Sequence, residues 1–306
     1  MSKQADGRKN VILEGPRFTL RRGQEGFPPA LEHIPQPPEA LYLIGNPGAL
    51  KEGIAIVGAR KATPYGRSCA RRFAQLAAQH GVAVISGGAR GCDGEAHKGA
   101  LQAGGETVVF LGGGCDMLYP AQHVGLFQNI VNAGGAVVSE HPWEFPPVPY
   151  AFRTRNRLIA GLSRATLIVE AGLPSGTFST ADEALAAGKE VLAIPGAITS
   201  HTSQGANRLI YQGATPIVDD DSFKDVLFSI FGVMKQKSDS TKSDAASDEI
   251  IAALQAEPLG EVELYALAQR LCTTENPAAW LAMKLTEGER AGLITRYPDG
   301  RYGAVI

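Results

Sequence analysis

Seven short apolar runs recur along the middle of the chain, and segments with helical periodicity separate them. The runs are Ile54–Val57, Val82–Ile85, Thr107–Leu111, Ala136–Val138, Thr166–Val169, Val191–Ile194 and Thr215–Val218. Continuous β-branched runs are typical of parallel strands that are buried on both faces. Amphipathic segments fill the gaps, one through Cys69 and Phe73 and others at roughly 92–103, 121–133, 154–162, 177–187 and 204–212. The alternation predicts an α/β fold, a doubly wound, mainly parallel sheet with helices on both faces.

Four segments of different character follow one another along the chain. Residues 1–50 are rich in proline, which interrupts regular structure, and are predicted to form a mostly irregular N-terminal extension. Residues 51–232 carry the α/β pattern, and the polar stretch 233–247 is predicted to be a flexible linker. Residues 248–306 have the pattern of three helices followed by a hairpin, which predicts a small winged-helix-like domain.

Composition excludes several classes of protein. Hydrophobic residues make up 44% and charged residues 20% of the 306 residues, so the chain is not disordered throughout. No apolar run reaches the ~18–20 residues of a membrane span, and the N-terminus lacks the apolar region of a secretory signal. The four cysteines form no CxxC pair, so we expect a cytoplasmic protein without a metal site. The net charge is −2, so a polyanion would have to bind a local basic patch.

Glycine-rich loops follow the first two apolar runs. The first loop, with Gly58 and Arg60, lacks the GxGxxG fingerprint, and Ser86 stands where an acidic residue would close the second run. We therefore expect no dinucleotide cofactor. Backbone amides, a helix N-terminus and a guanidinium together suit a phosphate. The alternative is that Gly58 only permits a tight turn and Arg60 is solvated.

The second loop repeats this combination with Gly88, Arg90 and Gly91. Because the two strands are expected to be neighbours, Arg90 would lie near Arg60. Asp93 and His97 are four residues apart on the next helix and would suit an acid–base pair. We favour a structural role for both, a helix cap and a packed histidine, since no nucleophile accompanies them.

The densest basic stretch is Phe152-Arg153-Thr154-Arg155-Asn156-Arg157. Arginines at a helix start oppose the helix dipole, which favours a bound polyanion or internal ion pairs there. Phe152, Tyr150 and Trp143 offer ring faces on which bases would stack. The alternative is a solvated basic face with aromatic residues in the core. Further on, Ser175-Gly176-Thr177 at a helix start is a weak phosphate-binding signal.

In sequence order, several of these segments resemble the DNA processing protein A family, also called DprA or Smf. The matching stretches are FPPALEHIPQPPEALYLIGN, IAIVGAR, SGGARGCDGEAHKGAL, VVFLGGGCDMLYP, SEHPW, FRTRNRLIAGLS, LIVEAGLPSGTFSTADEAL and AIPGAITSHTSQGANRLIYQGA, over roughly residues 27–218. The resemblance implies an extended Rossmann-like domain that binds single-stranded DNA and helps to load the RecA recombinase in natural transformation. It also implies a homodimer without an established catalytic activity.

The resemblance places a positively charged pocket on four arginines, with Phe152 and Asn156 beside them. The complete predicted DNA-binding set is Gly58, Arg60, Gly88, Arg90, Gly91, Phe152, Arg155, Asn156, Arg157, Ser175, Gly176 and Thr177. No catalytic residue, cofactor, metal or membrane contact is predicted. The expected partners are single-stranded DNA, RecA and a second copy of the chain.

The chain departs from the family pattern in three places. The usual GSR turn is GAR, so Ala59 removes a hydroxyl that would contact phosphate. About 25 residues precede Phe27, too few for the helical module that many members carry. The candidate recognition helix 277–290 balances Lys284 and Arg290 against two glutamates. Since nucleic-acid affinity depends on net cationic surface, we expect the C-terminal domain to bind a protein partner, not duplex DNA.

A second hypothesis belongs to the enzyme class. The chain resembles in outline the lysine-decarboxylase-like phosphoribohydrolases, which also place a Gly-Thr segment at a helix start beneath an acidic pair. Glu170 and Glu183 would then be the catalytic residues of a nucleotide-processing enzyme. Against this, Ser175-Gly176-Thr177 stands where that family has a PGGxGT run.

Overall fold

A nine-stranded sheet organises the larger part of the protein in the computed structural model, which describes residues 12–173, 176–233, 242–272, 276–290 and 292–304. Its strands are β1 (Arg17–Arg21), β2 (Ala40–Gly45), β3 (Gly53–Val57), β4 (Val84–Ser86), β5 (Thr107–Phe110), β6 (Ala136–Ser139), β7 (Ser163–Ile168), β8 (Glu190–Ala193) and β9 (Thr215–Pro216). Each of the seven predicted apolar runs overlaps one of the strands β3 to β9. These seven strands are parallel to one another, which confirms the predicted fold class.

Helices cover both faces of the sheet. One face carries α1 (Pro29–Glu32), α6 (Asn156–Leu162), α7 (Thr177–Ala186) and α8 (Gln204–Tyr211); the other carries α2 (Pro64–Gln79), α3 (Cys92–Gln102), α4 (Val124–Asn132) and α9 (Asp220–Phe231). A short helix, α5 (Pro149–Thr154), precedes α6. Alternate residues of β3 enter the two cores, Ala55 on the first face and Ile56 on the second. None of the helices in the described part of the chain combines the length and apolar character needed to cross a bilayer.

The order of the strands defines where a ligand would bind. The order is β1-β2-β6-β5-β4-β3-β7-β8-β9, so the chain moves outward from β3 to β6 on one side and from β7 to β9 on the other. The order therefore reverses between β3 and β7. In open sheets of this kind, ligands bind in the crevice beyond the carboxyl ends of the strands at the reversal.

Within the N-terminal extension, for which the prolines predict mostly irregular structure, residues 12–50 are described and contain two β-strands. Within the described residues from 12 onward, β1 and β2 pair antiparallel with each other, and β2 pairs antiparallel with β6. The prolines lie outside the two strands: before β1, at the start of α1, between α1 and β2, and just after β2. The β1 and β2 strands themselves contain no proline, and β2 is almost wholly buried. These two strands extend the parallel sheet by an antiparallel edge.

A second unit, residues 236–306, is separate from the first, residues 1–235. It contains α10 (Lys242–Ala256), α11 (Glu261–Leu271), α12 (Pro277–Arg290) and the antiparallel pair of β10 (Ile294–Arg296) and β11 (Tyr302–Ala304). Leu254, Leu264 and Leu285 belong to its core. Three helices and a hairpin agree with the predicted winged-helix-like outline. However, α10 begins inside the predicted linker 233–247, of which residues 234–241 lie outside the described residues.

Candidate nucleic-acid interface

A groove with a volume of about 1000 Å³ opens at the carboxyl ends of β3, β4 and β7, where the strand order reverses. We call it the rim groove. Its lining residues are Val57, Gly58, Ala59, Arg60, Ala89, Asp93, Tyr119, Pro147, Pro149, Tyr150, Phe152, Arg153, Thr154, Arg155, Asn156, Ile159, Gly176, Thr177 and Thr180. Three of the lining side chains are arginines and one is an acid, so a local excess of positive charge lies on a chain whose net charge is −2.

The loops after β3 and β4 are fixed against each other. Gly91 has a φ of +77°, and a Cβ on it would collide with the carbonyl oxygen of Ala59. The N–H of Cys92 donates to that same oxygen at 3.2 Å. Only glycine allows this close approach, which brings Arg60 and Arg90 to one rim. Both arginines are exposed, and both line a shallow side pocket that adjoins the rim groove.

Arg60, Arg90 and Arg153 form no ion pair with any residue that the structure describes. Several exposed or half-exposed cations elsewhere in the first unit are paired, among them Arg17 with Asp116, Arg22 with Glu39, Lys51 with Glu106, Arg71 with Glu95 and Arg72 with Asp220. Other exposed cations, Arg21, Lys61, Arg67, Arg164 and Arg208, also lack an ion pair with a described residue, but none of them lines the rim groove. A guanidinium without an internal carboxylate partner is available to an external anion. The unpaired arginines of this region therefore gather where the fold places its ligand crevice.

Aromatic rings line the same groove. The Cζ atom of Arg60 lies 5.5 Å from the ring centroid of Phe152. The Phe152 ring in turn meets Tyr119 edge-on, with centroids 5.4 Å apart. Tyr150 is exposed on the same wall. Trp143, predicted to be a third ring face, lies elsewhere, edge-on to Tyr42 and beneath Arg17. The groove thus combines free guanidinium groups with ring faces.

Arg155 lines the floor of the rim groove but is only 4% exposed. Its guanidinium donates to the carbonyl oxygens of Gly87, at 2.8 Å, and of Phe110. Burial lowers the pKa of Arg155 to about 10, and the nearby Asp93 carboxylate opposes this decrease. The side chain is therefore still charged at neutral pH. It ties together the loops after β4 and β5, and it adds positive charge beneath the groove.

Arg157, which was predicted to bind DNA, occupies a different environment. It is 7% exposed and does not line the rim groove. Its Nη1 and Nη2 atoms donate to the two carboxylate oxygens of Glu140 at 2.8 and 2.5 Å, and its Nε donates to the carbonyl oxygen of Gln36 at 2.8 Å. The arginine is thus locked against a carboxylate, because α6 turns this position toward the protein interior.

The remaining predicted residues are distributed around the groove. Asn156 lines it and donates to the hydroxyl of Ser179 at 2.7 Å. Gly176 and Thr177 line it at the start of α7, whereas Ser175 lies outside the described residues. Gly88 has a φ of +65° and packs against Val109 and Phe127, so it shapes the loop without lining the groove.

Asp93 and His97 do not form an acid–base pair. The buried Asp93 carboxylate accepts the N–H of Ala89 at 3.4 Å, and burial raises its pKa. His97 is fully buried, and its Nδ1 lies 2.7 Å from the hydroxyl of Thr107. That hydroxyl donates to the carbonyl oxygen of Val84, so the ring must donate from Nδ1. Burial lowers the pKa of His97 to about 3, which makes it a neutral, packed histidine.

The two glutamates of the enzyme hypothesis do not line the rim groove. Glu170 is 2% exposed, and its carboxylate accepts hydrogen bonds from Thr63 and Thr202. Glu183 is partly exposed on α7. The described residues around the groove therefore provide no acidic pair at the Gly-Thr segment.

Arg153 and Tyr119 line the groove but are missing from the predicted set. Arg153 was passed over because the family motif favours Arg155 and Arg157, yet α5 leaves only Arg153 of the three exposed. No helical period in the sequence separates the three arginines, because α5 ends at Thr154 and α6 begins at Asn156. Tyr119 follows the glycine-rich loop after β5, in a segment without the periodicity of a helix or a strand, so no sequence pattern marks it as a groove residue.

Comparison with known proteins identifies relatives of the first unit. Residues 18–227 match the family model described as DNA recombination-mediator protein A. The chain is 42% identical over 211 residues to protein Smf of Escherichia coli, covering 68% of this chain and 56% of that protein. It is 40% identical over 215 residues to a DNA processing protein DprA of Mycobacterium tuberculosis, covering 69% and 54%. The chain thus spans about half the length of these curated relatives.

Two solved structures share the fold. DNA processing protein A from Streptococcus pneumoniae superposes with a TM-score of 0.63 at 32% identity, covering 69% of this chain and 74% of that one. DNA processing protein A from Helicobacter pylori superposes with a TM-score of 0.64 at 29% identity, covering 72% and 99%. The latter structure concerns the single-stranded DNA binding mode of that protein.

Proposed function

The chain belongs to the DNA recombination-mediator protein A family, and on that premise we propose that its rim groove binds single-stranded DNA. The observation that carries the proposal is the gathering of Arg60, Arg90 and Arg153 without carboxylate partners beside Phe152 and Tyr119. Phosphates would contact the guanidinium groups, and bases would stack on the rings. Stacking is tolerant of sequence because every base has a π-face, so we expect little sequence preference.

The contacts divide the predicted residues into two roles. Arg60, Arg90 and Arg153 would bind phosphates directly, together with the groove-lining Asn156, Gly176 and Thr177. Arg155 would hold the loops in place and contribute charge from below. Arg157 would stabilise the start of α6 and make no contact with DNA. The Phe152 ring contacts the Arg60 guanidinium, so a base that stacks on this ring would replace that contact. The same movement of Arg60 would free its guanidinium for a phosphate.

We expect the protein to act by binding, without a chemical step. The carboxylate of Glu170 is engaged by two threonines, and the ring of His97 is engaged by Thr107. Family membership extends the proposal to partners: the protein would act as a homodimer in the cytoplasm, cover the incoming strand in natural transformation and promote RecA loading. The C-terminal unit would bind a protein partner.

The experiment is a salt series of binding to an oligothymidylate, followed by fluorescence anisotropy. Each phosphate neutralised on a single strand contributes about −0.7 to the slope of log K against log salt. The double variant Arg60→Ala, Arg90→Ala should flatten the slope by about 1.4 and weaken binding about a hundredfold, since a hydrogen bond to a charged group contributes ~1.5–3 kcal/mol. The same variant should fail to promote RecA assembly on the oligonucleotide.

The matched control is Arg22→Ala, Lys51→Ala, which removes the same charge from two exposed cations that are paired with Glu39 and Glu106. It should bind like the wild type. Equal losses in the two double variants would show that only the net charge matters, and an unchanged slope in Arg60→Ala, Arg90→Ala would refute the proposed groove.

A further inference from the structure

The N-terminus of α2 occupies a special position in this topology. It follows β3, the strand beside which the order reverses. In nucleotide-binding sheets of this kind, the amides at this helix start bind a phosphate, because they are unpaired donors at the positive end of the helix dipole. In this chain, a carboxylate of the protein itself lies there.

That carboxylate belongs to Glu170, which follows β7 on the other side of the reversal. Its Oε2 accepts the N–H of Thr63, the N-cap of α2, at 2.9 Å. Its Oε1 accepts the Thr63 hydroxyl at 2.5 Å and the Thr202 hydroxyl at 3.4 Å. The side chain is 2% exposed. Three donors from two loops thus converge on one buried anion.

The first turn of α2 is shaped around this group. Gly66 has no side chain, and a Cβ there would collide with the Glu170 carboxylate. The N–H of Gly66 donates to the Thr63 hydroxyl oxygen at 3.1 Å. Pro64, at the first helical position, has no N–H to offer. The space and the donors that a terminal phosphate would use are therefore taken by the protein.

We infer that the Glu170 carboxylate replaces the nucleotide phosphate at the start of α2, and that it closes this helix start to free mono- and dinucleotides. A phosphate would have to displace the carboxylate and would be repelled by its charge. The rim groove beside it remains open to the phosphodiesters of a strand. The inference concerns free nucleotides and does not depend on the proposed DNA binding.

The test uses the full chain and the variant Glu170→Ala, which removes the atoms of one acetate ion. Thermal unfolding is measured in sodium acetate and in sodium chloride at equal ionic strength and pH. The variant should unfold several degrees below the wild type in chloride, and acetate should restore much of that loss. Glu183→Ala removes a partly exposed carboxylate of the same size from α7 and serves as the matched control.

An acetate effect on Glu170→Ala no larger than that on the wild type and on Glu183→Ala would overturn the inference. Should Glu170→Ala not fold in chloride, refolding from urea provides the result: recovery in acetate alone supports the inference, and failure in both salts overturns it. A second arm uses Arg60→Ala, Arg90→Ala, Arg153→Ala, in which the three exposed rim arginines are absent but Glu170 is intact. Saturable binding of ADP to this variant in equilibrium dialysis would also overturn the exclusion.

Discussion

Three arginines of the site are exposed to solvent, namely Arg60, Arg90 and Arg153. The other two, Arg155 and Arg157, are buried and donate hydrogen bonds to oxygen atoms of the protein. The residue type is the same in both groups, so the difference arises from the side of the helix or loop on which each residue lies. A buried guanidinium must keep its partners, because an unpaired charge in the interior is costly. An exposed one is free to exchange water for phosphate.

We predict that Arg157→Met destabilises the protein without changing how DNA binding depends on salt. The substitution leaves the largely covered Glu140 carboxylate, 11% exposed, without its cation. Removing one partner of a buried ion pair costs ~3–5 kcal/mol, so we expect a loss toward the lower end of that range. The midpoint of urea unfolding, followed by circular dichroism, should fall accordingly. The slope of log K against log salt should stay at the wild-type value under conditions in which the variant is folded.

The double variant Arg157→Met, Glu140→Leu is the control for this prediction. Replacing both members of a buried ion pair by apolar side chains is often nearly neutral, so much of the stability should return. A slope flattened by about 0.7 at unchanged stability would instead make Arg157 a direct phosphate contact.

The candidate site could be predicted in part at this scale. The glycines and arginines of the two loops indicate the rim. A side chain at Gly58 or Gly91 would collide with the other loop, so only glycine allows the two loops to approach each other closely. Burial could not be predicted for three arginines within five residues. The chain forms two short helices there, α5 ending at Thr154 and α6 beginning at Asn156, so no single helical period relates the three side chains.

At the scale of elements, the strands β3 to β6 were predictable because each is a short run that is buried on both faces. The strands β7 and β8 are buried except at one residue each, whereas both residues of β9 are exposed. The β1 strand was not predictable, since most of its residues are exposed and it offers no apolar run. The β2 strand is apolar, but prolines on both sides concealed it. Such an antiparallel edge depends on pairing with β6, a contact between distant parts of the chain that local patterns do not encode.

The contact of α3 with the sheet predicts a pH dependence. His97 on α3 is neutral in the folded protein, with a pKa of about 3 against an ordinary value of 6.5, chiefly because it is buried. The unfolded chain therefore binds a proton between these values that the folded chain does not. The free energy of unfolding should fall as the pH drops below about 6.5, by up to ~1.4 kcal/mol per pH unit from this group.

The measurement is the urea midpoint of the full chain between pH 7 and pH 4 for the wild type and for His97→Gln. The variant should show a shallower loss of stability toward acid, because glutamine does not titrate. His33→Gln, at an exposed position, should retain the wild-type dependence. Identical dependence in His97→Gln and the wild type would place the acid sensitivity elsewhere.

For the whole molecule, a net charge of −2 predicts no general attraction to nucleic acid. The ion pairs explain how a local site can still exist. Several cations far from the rim groove are matched by carboxylates within hydrogen-bonding distance, whereas three arginines lie together at the rim with no such partner among the described residues. Binding should therefore be local and should depend on a few side chains instead of on the overall field.

The same reasoning applies to the second unit, whose α12 would be the recognition helix of a winged-helix domain. Lys284 is partly buried and pairs with Glu287 at 3.0 Å, and Glu289 offsets Arg290. We therefore predict that Lys284→Ala, Arg290→Ala in the full chain leaves the affinity for duplex DNA unchanged at moderate salt. Glutamates already balance the charges of these two side chains, so we expect neither side chain to bind a phosphate. Fluorescence anisotropy with a labelled duplex, run beside Arg60→Ala, Arg90→Ala, provides the comparison. A loss of duplex affinity in the α12 variant but not in the rim variant would assign duplex reading to the second unit.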